Sequence, residues 1–189
     1  MDFPIKYKCL SQNMFERTNY KICPIRFDDR RDIMKWRNEQ MYHLRQNKIL
    51  LIEDQDFYFE NVVLNLFEQK RPNQLLFSYL ENNKCIGYGG LVHINWIDKN
   101  AEISFIMNTE LESFGFQKHW LNFISLLEKV AFDELKFHKI FTYAFDLRPQ
   151  LYTALEKLDF LENVRLKEHC FIDNKYLDVV IHSKINDKC

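Results

Sequence analysis

The sequence predicts an α/β domain built around a mixed β-sheet. Three strand patterns joined by short polar turns follow one another in residues 74–108. The apolar period then changes from two to three and four, which marks a long helix, and strand, helix and hairpin patterns follow it. The predicted order is β-α-α-β-β-β-α-β-α-β-β, an alternation typical of α/β proteins. We expect one domain over residues 19–189, preceded by an extension at 1–18 without clear periodicity.

The first strand and the first two helices are predicted before residue 70. Residues 20–27, Y-K-I-C-P-I-R-F, have strand character. Asp28 and Asp29 follow, and either is a suitable cap for a helix over residues 30–38. Residues 53–69 predict a second amphipathic helix, because their apolar side chains fall on one face.

Three strands are predicted in the middle of the chain. They cover residues 74–80, 85–97 and 101–108, with E-N-N-K at 81–84 as the first turn. Short polar turns join successive antiparallel strands, so this block predicts a meander.

The segment that follows the meander has the period of a helix. Apolar side chains recur at intervals of three and four from about Gln117 onward: Trp120, Phe123, Ile124, Leu127, Val130, Ala131 and Leu135. Residues 139–145, K-I-F-T-Y-A-F, predict the next strand. A strand-helix-strand unit of this kind places residues 101–108 and 139–145 parallel to each other.

The last elements are a helix and a hairpin. Pro149 is favoured near the first position of a helix over residues 148–158, and Asp146 is its predicted cap. Two strand patterns then flank an Asp-Asn turn and predict a hairpin, in residues 164–172 and 175–185.

Composition and charge exclude several classes of protein. Hydrophobic residues make up 47% of the chain, and 17 phenylalanines and 9 tyrosines predict a core of large rings. The 26 basic and 27 acidic residues leave a formal net charge of -1. A balanced chain has no excess of positive charge for phosphates or anionic lipids. We therefore expect neither a nucleic-acid nor a membrane partner.

The cysteines and the N-terminal segment bear on the compartment. Five cysteines are scattered without a C-x-x-C pair: Cys9, Cys23, Cys85, Cys170 and Cys189. This spacing argues against a disulfide framework and against a zinc site, so no metal is expected. The first residues lack the apolar run of a signal peptide, and no stretch reaches the roughly 20 apolar residues that cross a bilayer. These features predict a cytoplasmic protein.

Residues 112–122, E-S-F-G-F-Q-K-H-W-L-N, lie where the third strand of the meander gives way to the long helix. A helix N-terminus offers unpaired N–H groups and the positive end of the helix dipole, so such junctions often bind phosphate. Phosphate loops are usually rich in glycine, whereas this segment has Gly115 alone, followed by Lys118 and His119. The residues suit either a phosphate site without its usual glycines or an ordinary loop.

Several short motifs, in this order, resemble the GNAT acyl-CoA N-acetyltransferase superfamily over about residues 20–185. The resemblance is nearest to the branch of ribosomal-protein N-terminal and nucleotide-amino-sugar acetyltransferases. The motifs are M-K-W-R-N (34–38), I-G-Y-G-G-L (86–91), A-E-I-S-F-I-M (101–107), A-F-D-E-L-K-F-H-K-I (131–140) and L-E-K-L-D-F (155–160). Each motif is short, and their order and spacing carry the resemblance.

The resemblance implies a GNAT-like sheet with a splayed pair of parallel strands. Acetyl-CoA, the implied co-substrate, would enter the V-shaped gap between strands 101–108 and 139–145. The backbone near Ile106 and Met107 would pair with the pantetheine arm and help to polarise the thioester carbonyl.

Two residues are predicted to be catalytic. The resemblance places an acidic residue beside the thioester, which makes Glu102 the predicted base for the amine; a solvated strand carboxylate is the alternative. The family's L-Y-E-K-L-G-F is A-L-E-K-L-D-F here (154–160), so Leu155 replaces the usual tyrosine. Tyr152, one helical turn earlier, is the substitute proton donor, unless it only packs in the core.

The family's pyrophosphate loop is poorly matched. Its glycines fall near Phe116, Lys118 and Trp120, whose side chains would crowd a pyrophosphate. Either CoA binds in a displaced way, with Lys118 and His119 supplying positive charge, or the CoA pocket is impaired. The predicted contacts of CoA are Gly115, Gln117, Lys118, His119 and Arg148; a solvent carboxylate is the alternative partner of Arg148.

The acceptor is predicted to bind near W-R-N (36–38), the helix-turn region at residues 39–52 and the strand at residues 86–97. A guanidinium binds phosphates and carboxylates in a fork, so Arg37 is predicted to hold such a group; a surface ion pair is the alternative. Trp36, Asn38 and His93 complete the predicted substrate contacts, although Trp36 and His93 also suit structural roles.

The sequence therefore predicts a cytoplasmic N-acetyltransferase that transfers acetyl from acetyl-CoA to a primary amine of a small molecule. A nucleotide-linked amino sugar is the first acceptor that the resemblance implies. The alternatives are acetylation of a protein N-terminus and a catalytically silent GNAT-fold interaction protein. A homodimer through exposed apolar faces of the last hairpin is a further hypothesis.

Overall fold

The computed structural model describes residues 3–187, so Cys189 lies outside the described residues. One eight-stranded sheet runs through the molecule in the order β1-β2-β3-β4-β5-β6-β8-β7. Its strands are β1 (Phe15–Arg17), β2 (Tyr20–Pro24), β3 (Leu75–Glu81), β4 (Lys84–Asn95), β5 (Asn100–Met107), β6 (Lys139–Phe145), β7 (Leu161–Ile172) and β8 (Lys175–Ile185). The predicted mixed sheet, the meander β3-β4-β5 and the final hairpin β7-β8 are confirmed.

Five helices complete the fold of residues 3–187. They are α1 (Arg30–Glu39), α2 (Ile52–Tyr58), α3 (Leu64–Leu66), α4 (Thr109–Glu128) and α5 (Pro149–Glu156). A π-helical turn at Phe59–Val63 joins α2 to α3, and a second one at Lys129–Glu134 extends α4. Short 3₁₀ turns precede and follow α1, at Phe27–Asp29 and Met41–His43.

The helices cover both faces of the sheet. On one face, the Phe123 ring of α4 stacks on Phe105 of β5 with ring centroids 4.0 Å apart. Successive side chains of a strand point to opposite faces, so Ser104 lies on the other face. There it lines a cavity with Arg37 of α1 and Tyr58 of α2. A side chain of β5 therefore faces either α4 or the pair α1 and α2.

The β5–β6 pair is the point where the sheet opens. It is the parallel pair of the sheet, and its register covers three positions only, the last joining Glu102 to Phe141. Beyond them β5 continues to Met107 beside β4, and β6 continues to Phe145 beside β8. The predicted splayed pair is thus confirmed, and the gap begins directly after Glu102.

Close packing of the meander needs a glycine next to this gap. A Cβ atom at Gly89 would lie 2.1 Å from the carbonyl oxygen of Ser104 on β5. The glycine-rich motif of β4 therefore brings the backbones of β4 and β5 closer than a side chain would allow.

Two expectations for helix starts are wrong. Helix α4 begins at Thr109, not near Gln117, so residues 112–117 are helical and form no loop. Asn108 caps the helix by accepting a hydrogen bond from the N–H of Glu110, and acids in the first turn suit the helix dipole. Asp146 does not cap α5, whose N-cap position is Arg148.

The N-terminal segment is packed on the domain. Tyr7 is buried, its ring stacks on Phe67 at 4.3 Å, and its hydroxyl donates to the carbonyl of Leu76 at 2.8 Å. Residues 15–17 add strand β1 to the edge of the sheet, which the lack of periodicity in the sequence did not indicate. Within the described chain, no helix is both long and apolar enough to span a membrane.

Candidate active site

A cavity of about 360 Å³ occupies the gap between the diverging strands. Residues of β4, β5, β6, α4 and α5 line it, together with residues of α1 and of the segment after it. The lining includes Arg37, Arg45, Glu102, Trp120, Thr142 and Arg148.

The two strand edges that face the gap carry backbone groups without a ladder partner. Among the described residues, β5 and β6 have no register pair beyond Glu102 and Phe141. Strand edges of this kind pair readily with an extended chain that has amide groups of its own. The gap is therefore suited to a narrow ligand with amides along its length.

Two buried polar atoms on the walls of the gap also lack partners. In the described chain, Trp120 Nε1 and Thr142 Oγ1 make no hydrogen bond. Both side chains line the cavity, and both residues are almost fully buried. Buried polar groups are nearly always satisfied, so a donor and a hydroxyl left open in one cavity indicate a polar ligand.

Glu102 stands at the base of the gap with two basic neighbours. Its carboxylate lies 2.8 Å from His93 Nδ1 and 3.4 Å from Arg45 Nη2, and its side chain is 13% exposed. His93 reaches it because the β4–β5 register shifts between Val92 and Asn95. At this irregularity His93 has a φ of 49°, and such bulges redirect side chains. The predicted base and the predicted substrate contact are therefore brought together.

Arg45 adds a cation to the same group. Its guanidinium lies over the ring of Tyr143 on β6, 4.1 Å from the ring centroid. Burial, together with a contact to Cys170, raises the pKa of Tyr143, so the phenol is protonated at neutral pH. Arg45 is thus positioned by the π face of Tyr143 as well as by Glu102.

The W-R-N segment divides between core and cavity. Arg37 lines the cavity and donates to Tyr88 Oη at 2.7 Å and to Gln46 Oε1 at 3.0 Å. Trp36 is buried in the core and does not line the cavity. Asn38 does not line it either, because its amide bonds both backbone groups of Leu50 and so fixes the loop after α1.

The far end of the gap is closed by a polar cluster. Arg148 is 12% exposed and pairs with Glu112 of α4 at 3.2 Å. Tyr42 donates to the other oxygen of Glu112, and His43 Nε2 lies 3.3 Å from Arg148 Nη1. The guanidinium also lies 5.8 Å from the centroid of Trp120. Trp120, which stands where the resembled family has a loop glycine, thus lies on helix α4 beside Arg148.

Acid is expected to destabilise this cluster through His43. Burial, reinforced by the charge of Arg148, lowers the pKa of His43 from 6.5 to about 3. The unfolded state therefore binds a proton that the folded state does not, so the free energy of unfolding falls as the pH drops from about 6.5 towards 3. We expect a loss of several kcal/mol, measured by urea unfolding at a series of pH values. His43→Gln should reduce the slope of the free energy of unfolding against pH in this range. An identical slope in both proteins would refute the assignment of this pH dependence to His43.

Four residues predicted to contact the CoA pyrophosphate lie along α4 and do not line the cavity: Gly115, Gln117, Lys118 and His119. The Lys118 ammonium lies 5.3 Å from the centroid of the Tyr20 ring and 4.0 Å from Glu81. His119 is buried beside Tyr79, with 3.3 Å between Nδ1 and the hydroxyl. None of these four residues faces the gap, so their positions on α4 do not fit the predicted contact with the CoA pyrophosphate. Of the predicted CoA contacts, Ile106 and Arg148 line the cavity.

Tyr152 is also outside the cavity. Its hydroxyl donates to Asp146 Oδ1 at 2.7 Å, and its ring stacks on His182 with centroids 5.0 Å apart. Burial and the Asp146 carboxylate raise its pKa, which makes it a poor acid as well as a distant one. Met107 is buried, and its carbonyl accepts a hydrogen bond from Gln40.

Four further residues of the site were not singled out in the sequence: Arg45, Tyr88, Thr142 and Tyr143. Arg45 and Tyr88 do lie within the segments predicted to bind the acceptor. Thr142 and Tyr143 lie in a predicted strand, and the alternation of that strand could have placed Thr142 towards the gap. The contact of Arg37 with Tyr88 joins residues far apart in the chain, and no local pattern predicts it.

The fold and the site together define a class of protein. A splayed parallel pair with a carboxylate at its base is the arrangement that an acyl-CoA N-acyltransferase is expected to have. The acetyltransferase (GNAT) domain family matches residues 22–181. The chain therefore belongs to the GNAT acetyltransferase family.

Relatives support the same conclusion. Spermidine N(1)-acetyltransferase of Vibrio cholerae serotype O1 is 32% identical over 94 residues, which are 50% of this chain and 53% of that protein. The chain thus spans about half the length of the curated relative it matches.

Solved structures extend the likeness over nearly the whole fold. Spermidine N-acetyltransferase from Vibrio cholerae, in complex with CoA and spermine, has a TM-score of 0.79 at 20% identity, covering 91% of this chain and 98% of that one. A dodecameric structure of that enzyme in an intermediate state has a TM-score of 0.74 at 21% identity, covering 91% and 96%. At such identities the likeness shows the fold. These relatives do not support the predicted branch of ribosomal-protein and amino-sugar acetyltransferases.

Proposed function

We propose that this chain transfers an acetyl group from acetyl-CoA to a primary amine of a small molecule. The observation that carries the proposal is the position of Glu102, whose carboxylate lies at the point where β5 and β6 part. A base is useful to this reaction only beside the thioester, and the gap is where a thioester arm would lie.

The gap suits the pantetheine arm of acetyl-CoA. That arm is a narrow chain with two amide groups, which match the open strand edges and the unpartnered Trp120 Nε1 and Thr142 Oγ1. The diphosphate fits less well, because Glu110 and Glu112 stand in the first turn of α4. Arg148, one of the three arginines among the described residues that line the gap, is paired with Glu112 of this turn, and it would have to leave Glu112 to bind a phosphate.

Two proton transfers accompany the proposed reaction. The amine nitrogen attacks the thioester carbonyl, the new C–N bond forms and the C–S bond breaks. Glu102 accepts the proton that the amine loses, and His93 and Arg45 hold the carboxylate in place. With Tyr152 outside the cavity, the thiolate takes its proton from water.

Calorimetric titration with acetyl-CoA, followed by mass spectrometry of candidate acceptors, tests the proposal. The acceptors include spermidine, which the Vibrio cholerae relatives are named for, a nucleotide-linked amino sugar and a peptide with a free N-terminus. We expect acetyl-CoA to bind and one small amine to gain an acetyl group. Binding without transfer to any amine would refute the proposed activity.

A catalytically silent binding protein is the second candidate. The observation that favours it is the acidic first turn of α4, which stands where the family holds the pyrophosphate. The absence of acetyl-CoA binding at high micromolar concentration would favour this candidate over the enzyme.

Thr142→Val is expected to have opposite effects on the free protein and on the complex. Valine has nearly the shape of threonine and removes a buried hydroxyl that has no partner in the described chain. The free protein should therefore gain about 1 kcal/mol in its free energy of unfolding, while acetyl-CoA should bind about 10-fold more weakly. Urea unfolding and calorimetry measure the two effects. Weaker binding together with lower stability would point to a packing defect instead.

A further inference from the structure

Arg37 carries a charge that no carboxylate of the described residues neutralises. Its side chain lines the cavity of the gap and the adjoining cavity between α1, α2 and the sheet. Both hydrogen-bond acceptors of its guanidinium, Tyr88 Oη and Gln46 Oε1, are neutral. In residues 3–187 no carboxylate lies within 4.0 Å of it. Charged groups that are largely buried are nearly always paired, so an anion is expected to join Arg37.

The geometry of these bonds leaves the cation able to hold such an anion. One bond uses Nε and the other uses one hydrogen of Nη1, so three of the five N–H groups remain. The bonds also fix the plane of the guanidinium before a ligand arrives. A fixed fork with free N–H groups is suited to two oxygens of one carboxylate or phosphate.

The other charged residues of the cavity also favour an anionic ligand. Of the described residues that line it, three are arginines and Glu102 is the one carboxylate. Arg148 is paired with Glu112, so Arg37 and Arg45 face a single acid. Asp54 lines the adjoining cavity, but it is bound by Lys48 and by the N–H of Leu51. No second acid in this part of the chain is available for a positively charged acceptor.

We infer that the acceptor carries a carboxylate or phosphate in addition to its amine, and that Arg37 holds this anionic group while Glu102 receives the amine. This inference rests on the proposed acetyl transfer. Tyr88, which positions Arg37, pairs with Ile106, four residues beyond Glu102 on β5. Four strand residues span about 13 Å, so the anion lies several bonds from the amine.

A polyamine is a poor match for this site. Spermidine keeps two ammonium groups when one of its amines is neutral and reacts. Those groups would approach Arg37 and Arg45 with no carboxylate except Glu102, which the reaction itself uses. Like charges in a partly buried site repel strongly, so a polyamine is expected to be rejected.

Matched acceptors test the inference. Glucosamine and glucosamine 6-phosphate form one pair, and hexylamine and 6-aminohexanoate form the other. Acetyl transfer is followed by mass spectrometry, and spermidine is included. We expect the anionic member of at least one pair to have a kcat/KM about 10- to 100-fold above its neutral partner, and spermidine to be the slowest. A preference for the anionic member of the first pair indicates that the site binds a phosphate, and a preference in the second pair indicates that it binds a carboxylate.

Variants show whether Arg37 is responsible. Arg37→Gln should reduce the ratio of kcat/KM for the anionic acceptor to kcat/KM for the neutral one by about 10-fold or more. Arg45→Gln should reduce this ratio less. Arg71→Gln, at an exposed site, is the matched control and should keep the ratio. Should Arg37→Gln fail to fold, Arg37→Lys retains the charge but loses the fork, and it should reduce the ratio as well.

A readout without turnover separates this inference from the proposed activity. Inorganic phosphate should raise the melting temperature of the wild-type protein and of Arg71→Gln, but not that of Arg37→Gln. This result, even without acetyl transfer, would support the anion site while the proposed activity fails. Transfer to spermidine at the rate of the anionic amines, or a ratio unchanged in Arg37→Gln, would overturn the inference.

Discussion

Glu102→Gln is expected to lower kcat/KM for acetyl transfer at neutral pH by about 100- to 10,000-fold. Glutamine keeps the size and one oxygen of the side chain but cannot accept the ammonium proton. The binding of acetyl-CoA should change little, because the replacement is on the amine side of the gap and adds no bulk. The loss is therefore expected in kcat, measured with saturating acetyl-CoA.

The pH profile distinguishes a base from a residue that only positions others. In Glu102→Gln, activity should recover as the pH approaches the pKa of the amine, since solution then supplies the neutral form. His93→Gln is the matched comparison, because it removes one contact of the carboxylate and leaves the carboxylate itself. His93→Gln should lower kcat/KM by about 10-fold or less. Unchanged turnover in Glu102→Gln across the pH range would remove Glu102 from the role of base.

Local patterns in the sequence were sufficient to predict the strands and the helix that form this site. The period-two runs gave β5 and β6, and the helical run between them gave the parallel pair. Glu102 follows from its place in the third strand of the meander, which the resemblance associated with the thioester.

The remaining features depend on contacts between distant segments. Nothing near residue 93 indicates a left-handed backbone there, since the irregularity of β4 exists only against β5. The start of α4 was misjudged because Gly115 suggested a loop, whereas the cap at Asn108 and the acidic first turn favour a helix. Phe116 and Trp120 then become the buried face of that helix. Side chains that argued against a pyrophosphate loop are the same ones that stabilise the helix in its place.

The opening between β5 and β6 is the proposed site of acetyl-CoA, and Ala144→Phe is expected to close it. Ala144 lies on β6 beyond the last β5–β6 pair and lines the cavity of about 360 Å³. A phenyl ring there takes up much of the space for the pantetheine arm. Overpacking of a fitted site costs about 1–3 kcal/mol, so acetyl-CoA should bind about 10- to 100-fold more weakly. Calorimetry and the KM for acetyl-CoA measure this loss.

The matched control places the same ring elsewhere on the sheet. Val164 is 43% exposed on β7, so Val164→Phe adds comparable bulk at a distance from the gap and should leave acetyl-CoA binding unchanged. Thermal unfolding of both variants separates loss of the site from loss of the fold. Because Ala144 pairs with Val180 on β8, the strand can remain in register while its free edge is blocked. Wild-type affinity in a folded Ala144→Phe protein would mean that acetyl-CoA does not lie between these strands, and the assignment of Glu102 would fail with it.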